Sequence, residues 1–334
     1  MMKARQLQIL LVFMAMALSA ASQDQQFTQS YALPTAMNPA FVGISADSKL
    51  CFQVRKQWLA VPGGFNAGNI TFDQFFGSAK SGIGGMINYE RAGSGSLRST
   101  HIVGQYAFEA RVNKNFYFRP ALQFGYGSRS VDFTQLKFFD QILIDSDLSI
   151  EMVGLRPVNY FDIGAGFLAF GKKAWFGMSA YHLNWPNQSL FQGAEALLPM
   201  RANMQAGMRL KLKRNSSSRL DRYFVMASNF MYQDRFRQLD MGAYYELSPI
   251  VFGLWYRGIP FVKDKFEGPS RDALALIFGF QTAIYRIGYS YDITISSLGL
   301  SSSAGSHELT FTYQWANTTS KVKKRPRVVP CAQF

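Results

Sequence analysis

The sequence predicts an all-β protein: a transmembrane antiparallel β-barrel of about fourteen strands, with short periplasmic turns and longer extracellular loops. Three observations predict it. Apolar and polar residues alternate with a period of two. The alternating stretches are too long for ordinary soluble strands. The joins between them are short at one end and tend to be long at the other.

The alternation is plainest in 304–316. Leu309, Phe311, Tyr313 and Trp315 share one parity, and Glu308, Thr310, Thr312 and Gln314 share the other. Successive side chains of a strand leave by opposite faces, so one face is greasy and the other polar. The same holds in 200–213, where Ala202, Met204, Ala206 and Met208 oppose Arg201, Asn203, Gln205 and Arg209. A soluble sheet also alternates; the repetition decides the class. Strands are expected at 50–59, 65–76, 81–91, 98–111, 115–129, 159–170, 174–184, 200–213, 221–233, 236–247, 250–258, 271–282, 284–294 and 304–316. Soluble strands run about five or six residues, whereas a tilted spanning strand needs about nine to eleven. A β-sandwich has shorter strands, and no Pro/Ser-rich linker divides this chain. Strands 65–76 and 174–184 alternate poorly. Pro120 deprives its strand of one ladder bond and predicts a local distortion.

Composition agrees. Of 334 residues, 48% are hydrophobic, 15% aromatic and 17% charged. The mean hydropathy of -0.05 argues against membrane helices but suits a barrel, whose two faces cancel in any average. Many of the 28 glycines sit inside strand patterns, where they can relieve crowding on a concave inner face. Lys3 and Arg5 precede an apolar run from Leu7 to Leu18 and the small residues 19–22, which reads as a secretory signal over 1–22. The expected organisation is then an N-terminal periplasmic segment at 23–49, the barrel at 50–316 and a basic periplasmic tail at 317–334.

The net charge is +14, and the tail carries Lys321, Lys323, Lys324, Arg325 and Arg327 with no acid. On an exported chain this points to anionic lipid or an acidic protein, not to nucleic acid. The joins at 77–80, 112–114, 171–173, 213–219, 247–249 and 282–283 are short, whereas 131–158, 185–199, 259–270 and 294–303 are long. Outer-membrane barrels have that asymmetry.

No catalytic or metal constellation is legible, and no cofactor is expected. His101, His182 and His307 are scattered, without ligand spacing. Gly82-Ile83-Gly84-Gly85 lacks the Lys-Ser or Lys-Thr of a phosphate loop. The acids Glu109, Asp162, Glu246 and Glu308 fall on the lumenal parity and neutralise arginines such as Arg55, Arg119, Arg201 and Arg286. Cys51 and Cys331 both fall at the periplasmic end. They either bridge, tying the tail beneath the barrel, or remain free thiols.

The mature N-terminal region reads Gln23-Asp24-Gln25-Gln26-Phe27-Thr28-Gln29, then Asn38-Pro39-Ala40-Phe41-Val42-Gly43, then Arg55-Lys56-Gln57-Trp58. This resembles the opening of the PorP/SprF family of type IX secretion system outer-membrane proteins of Bacteroidota. Gln25 stands where that family has proline, and Leu33-Pro34 where it often has Asn-Pro. The residues carrying the resemblance are Gln29, Asn38, Pro39, Gly43, Arg55, Gln57 and Trp58; Pro330-Cys331-Ala332 resembles the family's short Cys-containing end. From the residues alone, Asn38-Pro39 reads as a turn and Trp58 as a girdle aromatic at the membrane edge.

The resemblance implies a non-enzymatic outer-membrane barrel. It would bind secreted or surface-attached, adhesin-like cargo with C-terminal sorting domains, support its export or anchoring, work with other secretion components, and in some members serve gliding motility. The alternative is a porin-like channel or small-molecule transporter. In loop 131–158, Phe133, Phe138, Phe139 and Ile142 stand among acidic residues, and either contact a partner or fold back over the lumen.

Overall fold

The structure is a computed structural model that describes residues 24, 26–45, 47–93, 97–132, 141, 154–212, 222–264, 268–296 and 299–316. The strands run in chain order. The first seven are β1 (Ser48–Gln57), β2 (Phe65–Phe76), β3 (Ser81–Ala92), β4 (Leu97–Phe108, resuming at Ala110–Arg111), β5 (Tyr117–Ser130), β6 (Val158–Phe170) and β7 (Ala174–Tyr181). The rest are β8 (Arg201–Lys211), β9 (Arg222–Gln233), β10 (Phe236–Leu247), β11 (Ile250–Asp264), β12 (Gly268–Gln281), β13 (Tyr285–Thr294) and β14 (Ser306–Trp315). Each pairs antiparallel with its sequence neighbour, and β1 pairs with β14, from Ser48–Trp315 to Gln57–Ser306. The sheet is therefore closed, a 14-stranded barrel.

Burial is inverted relative to a soluble protein. In β14, Leu309, Phe311 and Tyr313 are 53%, 40% and 43% exposed, while Glu308, Thr310 and Thr312 are 1%, 2% and 1% exposed. The greasy face looks outward and the polar face inward, as lipid demands. The turns that close β2–β3, β4–β5, β6–β7, β10–β11 and β12–β13 lie at one end. By the short-turn rule this is the periplasmic end.

The distortion at Pro120 takes a specific form. The β4 ladder is interrupted at Phe108–Glu109, opposite Pro120, which has no N–H to donate. The register passes through unchanged, from Ala107–Ala121 to Ala110–Phe118. The expected loop at 259–270 is different. β11 and β12 continue past an irregularity at Gly258 and pair as far as Asp264–Gly268, so that join is a hairpin extending the two strands.

The largest departure concerns the N-terminal segment, expected to lie on the periplasmic side. Residues 26–45 instead run inside the barrel. A four-residue helix, α1 (Pro34–Met37), and a 3₁₀ turn (Pro39–Phe41) fold this segment, and almost all of it is buried. Its apolar residues Tyr31, Phe41, Val42 and Ile44 meet inward-facing Leu168, Trp175, Tyr244 and Trp255, so the hydrophobic core lies within the lumen. Tyr31 lies 4.8 Å from the Trp255 ring centre and meets Tyr244 edge-on at 6.1 Å. A second short helix, α2 (Gly299–Ser303), caps the join before β14.

The signal region 1–22 and the tail 317–334 lie outside the described residues.

Contact between this plug and the wall requires glycine. Gly43 has φ +59, and a Cβ there would meet the Gln74 carbonyl oxygen at 2.6 Å; a Cβ on Gly82 would lie 2.0 Å from the Val42 carbonyl oxygen. A Gly82→Val barrel should still fold in detergent, with heat-modifiable migration, but expose residues 24–45 to protease. Unchanged protection of that segment would show that the plug does not depend on this approach.

Candidate functional site

The lumen and its plug bring together most of the residues that the sequence singled out. Four sets of contacts hold the plug, from the long-loop end down to the short-turn end.

At the top, the Asp24 carboxylate accepts from His182 Nε2 at 2.7 Å and pairs with Arg201 at 2.8 Å. His182 Nδ1 lies 2.9 Å from Asp162. Burial opposes charge on His182, but Asp24 and Asp162 outweigh it and push its pKa up to about 9. Burial likewise raises the Asp24 pKa, yet Arg201 and His182 overcome it and hold this carboxyl below the usual carboxylate range. The latch is therefore a charged imidazolium between two carboxylates.

Below it is a buried charge cluster. Arg55 donates to Asp292 at 2.7 Å and to Glu308 at 3.0 Å. Glu308 also accepts the backbone N–H groups of Thr28 and Gln29, at 2.8 and 2.7 Å, and the Gln53 amide at 2.6 Å. Thr28 Oγ1 donates to Asp292 at 2.6 Å. The Gln29 side chain donates to the Glu308 carbonyl at 3.0 Å and accepts from Thr310 at 2.8 Å. Arg257 completes the cluster, 3.3 Å from Asp240.

The third set is the Asn-Pro turn. Asn38 Oδ1 accepts the Ala40 N–H at 2.9 Å and caps the 3₁₀ turn that Pro39 opens. Its Nδ2 donates to the carbonyls of Phe167 and Met178, at 3.0 and 3.1 Å, and to Gln205 at 3.2 Å. A helix this short leaves its carbonyls unpaired, and the wall supplies donors. Ser179, Asn203 and Gln205 all donate to the Met37 carbonyl, at 2.7, 3.1 and 3.1 Å.

At the floor, Arg119 is fully buried. It pairs with Glu109 at 2.8 Å and donates to the Ala40 and Val42 carbonyls. The Gly43 N–H donates to Asp73 at 2.9 Å.

Gln29, Asn38, Pro39, Gly43 and Arg55 thus act together in joining plug to wall. Gln57 and Trp58 do not: they line a recess of about 690 Å³ above the plug, at the extracellular end, with Phe65, Glu90, Arg129 and Tyr160, over Gln26 and Phe27. Trp58 packs edge-on against Phe65 at 5.3 Å and lines the rim of this vestibule. Of the expected acid–arginine partners, Glu109–Arg119 and Glu308–Arg55 meet. Glu246 instead pairs with Arg209, Asp162 with His182, and Arg201 with Asp24. Arg286 donates to Gln314.

Cys51 is buried, and its sulfur accepts from Thr312 at 3.2 Å. Cys331 lies outside the described residues, as do Phe133, Phe138, Phe139 and Ile142. Asp292, Arg257, Gln205 and Asp24 were not among the candidate site residues; the first three carried the signal of a polar residue on the inward parity, whereas Asp24, in no strand, carried none. Among the described residues no group of His, Cys, Asp and Glu could hold a metal ion.

A family model described as type IX secretion system membrane protein PorP/SprF matches residues 19–313. No curated protein matches significantly. Solved structures of similar shape include the outer membrane protein Omp33 of Acinetobacter baumannii, at 7% identity over 82% of this chain and 100% of that one, with a TM-score of 0.42. The CymD monoaromatic hydrocarbon channel is 12% identical over 86% of this chain and 93% of its own, with a TM-score of 0.46. The P. putida toluene transporter TodX is 10% identical over 84% and 92%, with a TM-score of 0.42.

Removing Arg55 would leave Asp292 and Glu308 buried with their charge undercompensated. Arg55→Ala should weaken plug docking by about 3 kcal/mol or more, read as faster hydrogen exchange at Thr28 and Gln29. The latch should also respond to pH. His182 contributes fully below its unfolded pKa near 6.5, and that contribution is lost as pH rises through about 9. Asp24 contributes above the ordinary carboxylate range and is lost only in strong acid. A fluorophore near residue 24 should therefore gain mobility above about pH 9, and His182→Gln should abolish that transition.

Proposed function

Since the chain belongs to the PorP/SprF family of type IX secretion system membrane proteins, we propose that it is a closed, non-conducting and non-catalytic outer-membrane barrel that holds exported proteins at the cell surface. Its cargo would be adhesin-like proteins carrying C-terminal sorting domains, and a link to gliding motility follows from the same reading. The observation that carries it is the plug. Residues 26–45 fill the lumen and hydrogen-bond to the buried ion pairs of the wall, so in this reading cargo has no aqueous path through the centre of the barrel. What remains for contact is the outer vestibule and the long loops around it, chiefly 131–158 and 185–199. Cargo then reaches the surface by another component, and this barrel retains it there.

The porin-like alternative requires an open lumen. In planar bilayers the purified intact protein should show no steady conductance, and steady openings would favour the channel. Deleting 131–158 with the barrel intact should release cargo into the medium; undiminished surface retention would remove the loop from the docking site.

A further inference from the structure

The periplasmic end sorts its charges in an unusual way. Every acid described there is turned inward and engaged: Asp73 with Lys49 at 3.5 Å, Glu109 with Arg119 at 2.8 Å, Glu246 with Arg209 at 2.7 Å, and half-buried Asp47 with Gln314 at 2.9 Å. The cations on the turns are exposed. Lys80 sits in the β2–β3 turn, Arg111 and Lys114 at the β4–β5 turn, and Lys172 and Lys173 in the β6–β7 turn.

These turns are consecutive around the ring, about 10 Å apart at two strand spacings. That separation is close to a Debye length at physiological salt, so their potentials add. The tips are fixed to the neighbouring wall. The Lys80 carbonyl accepts the Glu109 N–H at 2.7 Å, and the Lys173 carbonyl accepts the Arg209 N–H at 2.7 Å.

Among the described turns the arc does not go all the way round; the β8–β9 join beside it, mostly outside the described residues, adds Lys213, Arg214 and Arg219 in the sequence. The β10–β11 turn is Ser248-Pro249, and the β12–β13 turn is Thr282-Ala283-Ile284, with Ile284 exposed. Neither carries a charge. A belt serving the headgroups of the surrounding leaflet would be needed on every side of the barrel. An arc broken at two consecutive turns suits a partner that approaches from one direction. At the opposite rim the charges are mixed, with Lys56, Arg91, Glu195, Asp234 and Arg237 all exposed.

We propose that the arc formed by the β2–β3, β4–β5 and β6–β7 turns is a docking face for an acidic protein in the periplasm. Complementary potential would speed the encounter and fix its orientation on one side of the barrel.

The test uses the full chain in nanodiscs, with labelled poly-L-glutamate as the acidic probe. The arc variant is Lys114→Glu with Lys172→Glu and Lys173→Glu; the control is Lys56→Glu with Arg91→Glu and Arg237→Glu at the other rim. Heat-modifiable migration confirms that each barrel is folded. The arc variant should bind the probe at least tenfold more weakly than the parent, with a shallower salt dependence, while the control binds within about twofold of the parent. Equal binding by parent and arc variant overturns the proposal. So does a variant that loses only retained phosphatidylglycerol, read by native mass spectrometry, because that marks a lipid contact. In cells, a photocrosslinking residue in place of Lys173 should form protein adducts that Lys114→Glu with Lys172→Glu abolishes, and one in place of Ala283 should form none. Adducts of equal yield at both positions would remove the directional claim.

Discussion

Fourteen strands closed into a ring enclose more room than their own inward side chains can fill. An eight-stranded barrel packs its interior with side chains, and one of sixteen or more leaves a channel. This barrel lies between, and lipid outside fixes the polar face inward. The interior must then be wet or filled by something else. Here the chain fills it with its own N-terminal segment, and most features of the wall follow. Glycines at 43 and 82 let backbones touch, lumenal amides meet orphan carbonyls, and acids take the plug's N–H groups.

The plug explains why buried charge is tolerated. Each buried ion is expensive unless it is paired and its remaining bonds are met. Arg119 meets this demand fully, with one carboxylate and two carbonyls, and Glu308 meets it with a guanidinium, an amide and two backbone N–H groups. Such a set is worth little as a stability device but holds one arrangement against alternatives, which suits a segment that must stay in register inside a tube.

The barrel was legible because its signal is local: parity and length in each strand are visible one segment at a time. Leu309, Phe311 and Tyr313 against Glu308, Thr310 and Thr312 are enough to say which face is greasy. The plug was not legible, because it depends on contacts between residues some 30 to 280 positions apart. Its trace was nevertheless present. Strand 174–184 alternates poorly because Trp175 and Tyr181 face inward to meet the plug, and in 65–76 Phe75 is likewise turned inward, against the Arg119 guanidinium. Polar parity breaks where the lumen is dry. The motif residues were recognisable as a set, but their shared purpose emerges only when Gln29 and Asn38 are seen seated against β14, β6 and β7. Hairpin extension at β11–β12 was hidden because Gly258 and Pro260 interrupt the strand pattern where the register shifts.

Arg55 and Glu308 sit directly opposite each other where the first strand meets the last. Thr28 and Gln29 grip that junction from within. The N-terminal segment thus adds a polar clasp across the seam of the ring, beside the ladder that already joins its first and last strands. The same two carboxylates, Asp292 and Glu308, therefore serve both the closing seam and the cork, and a change at either one is felt by both.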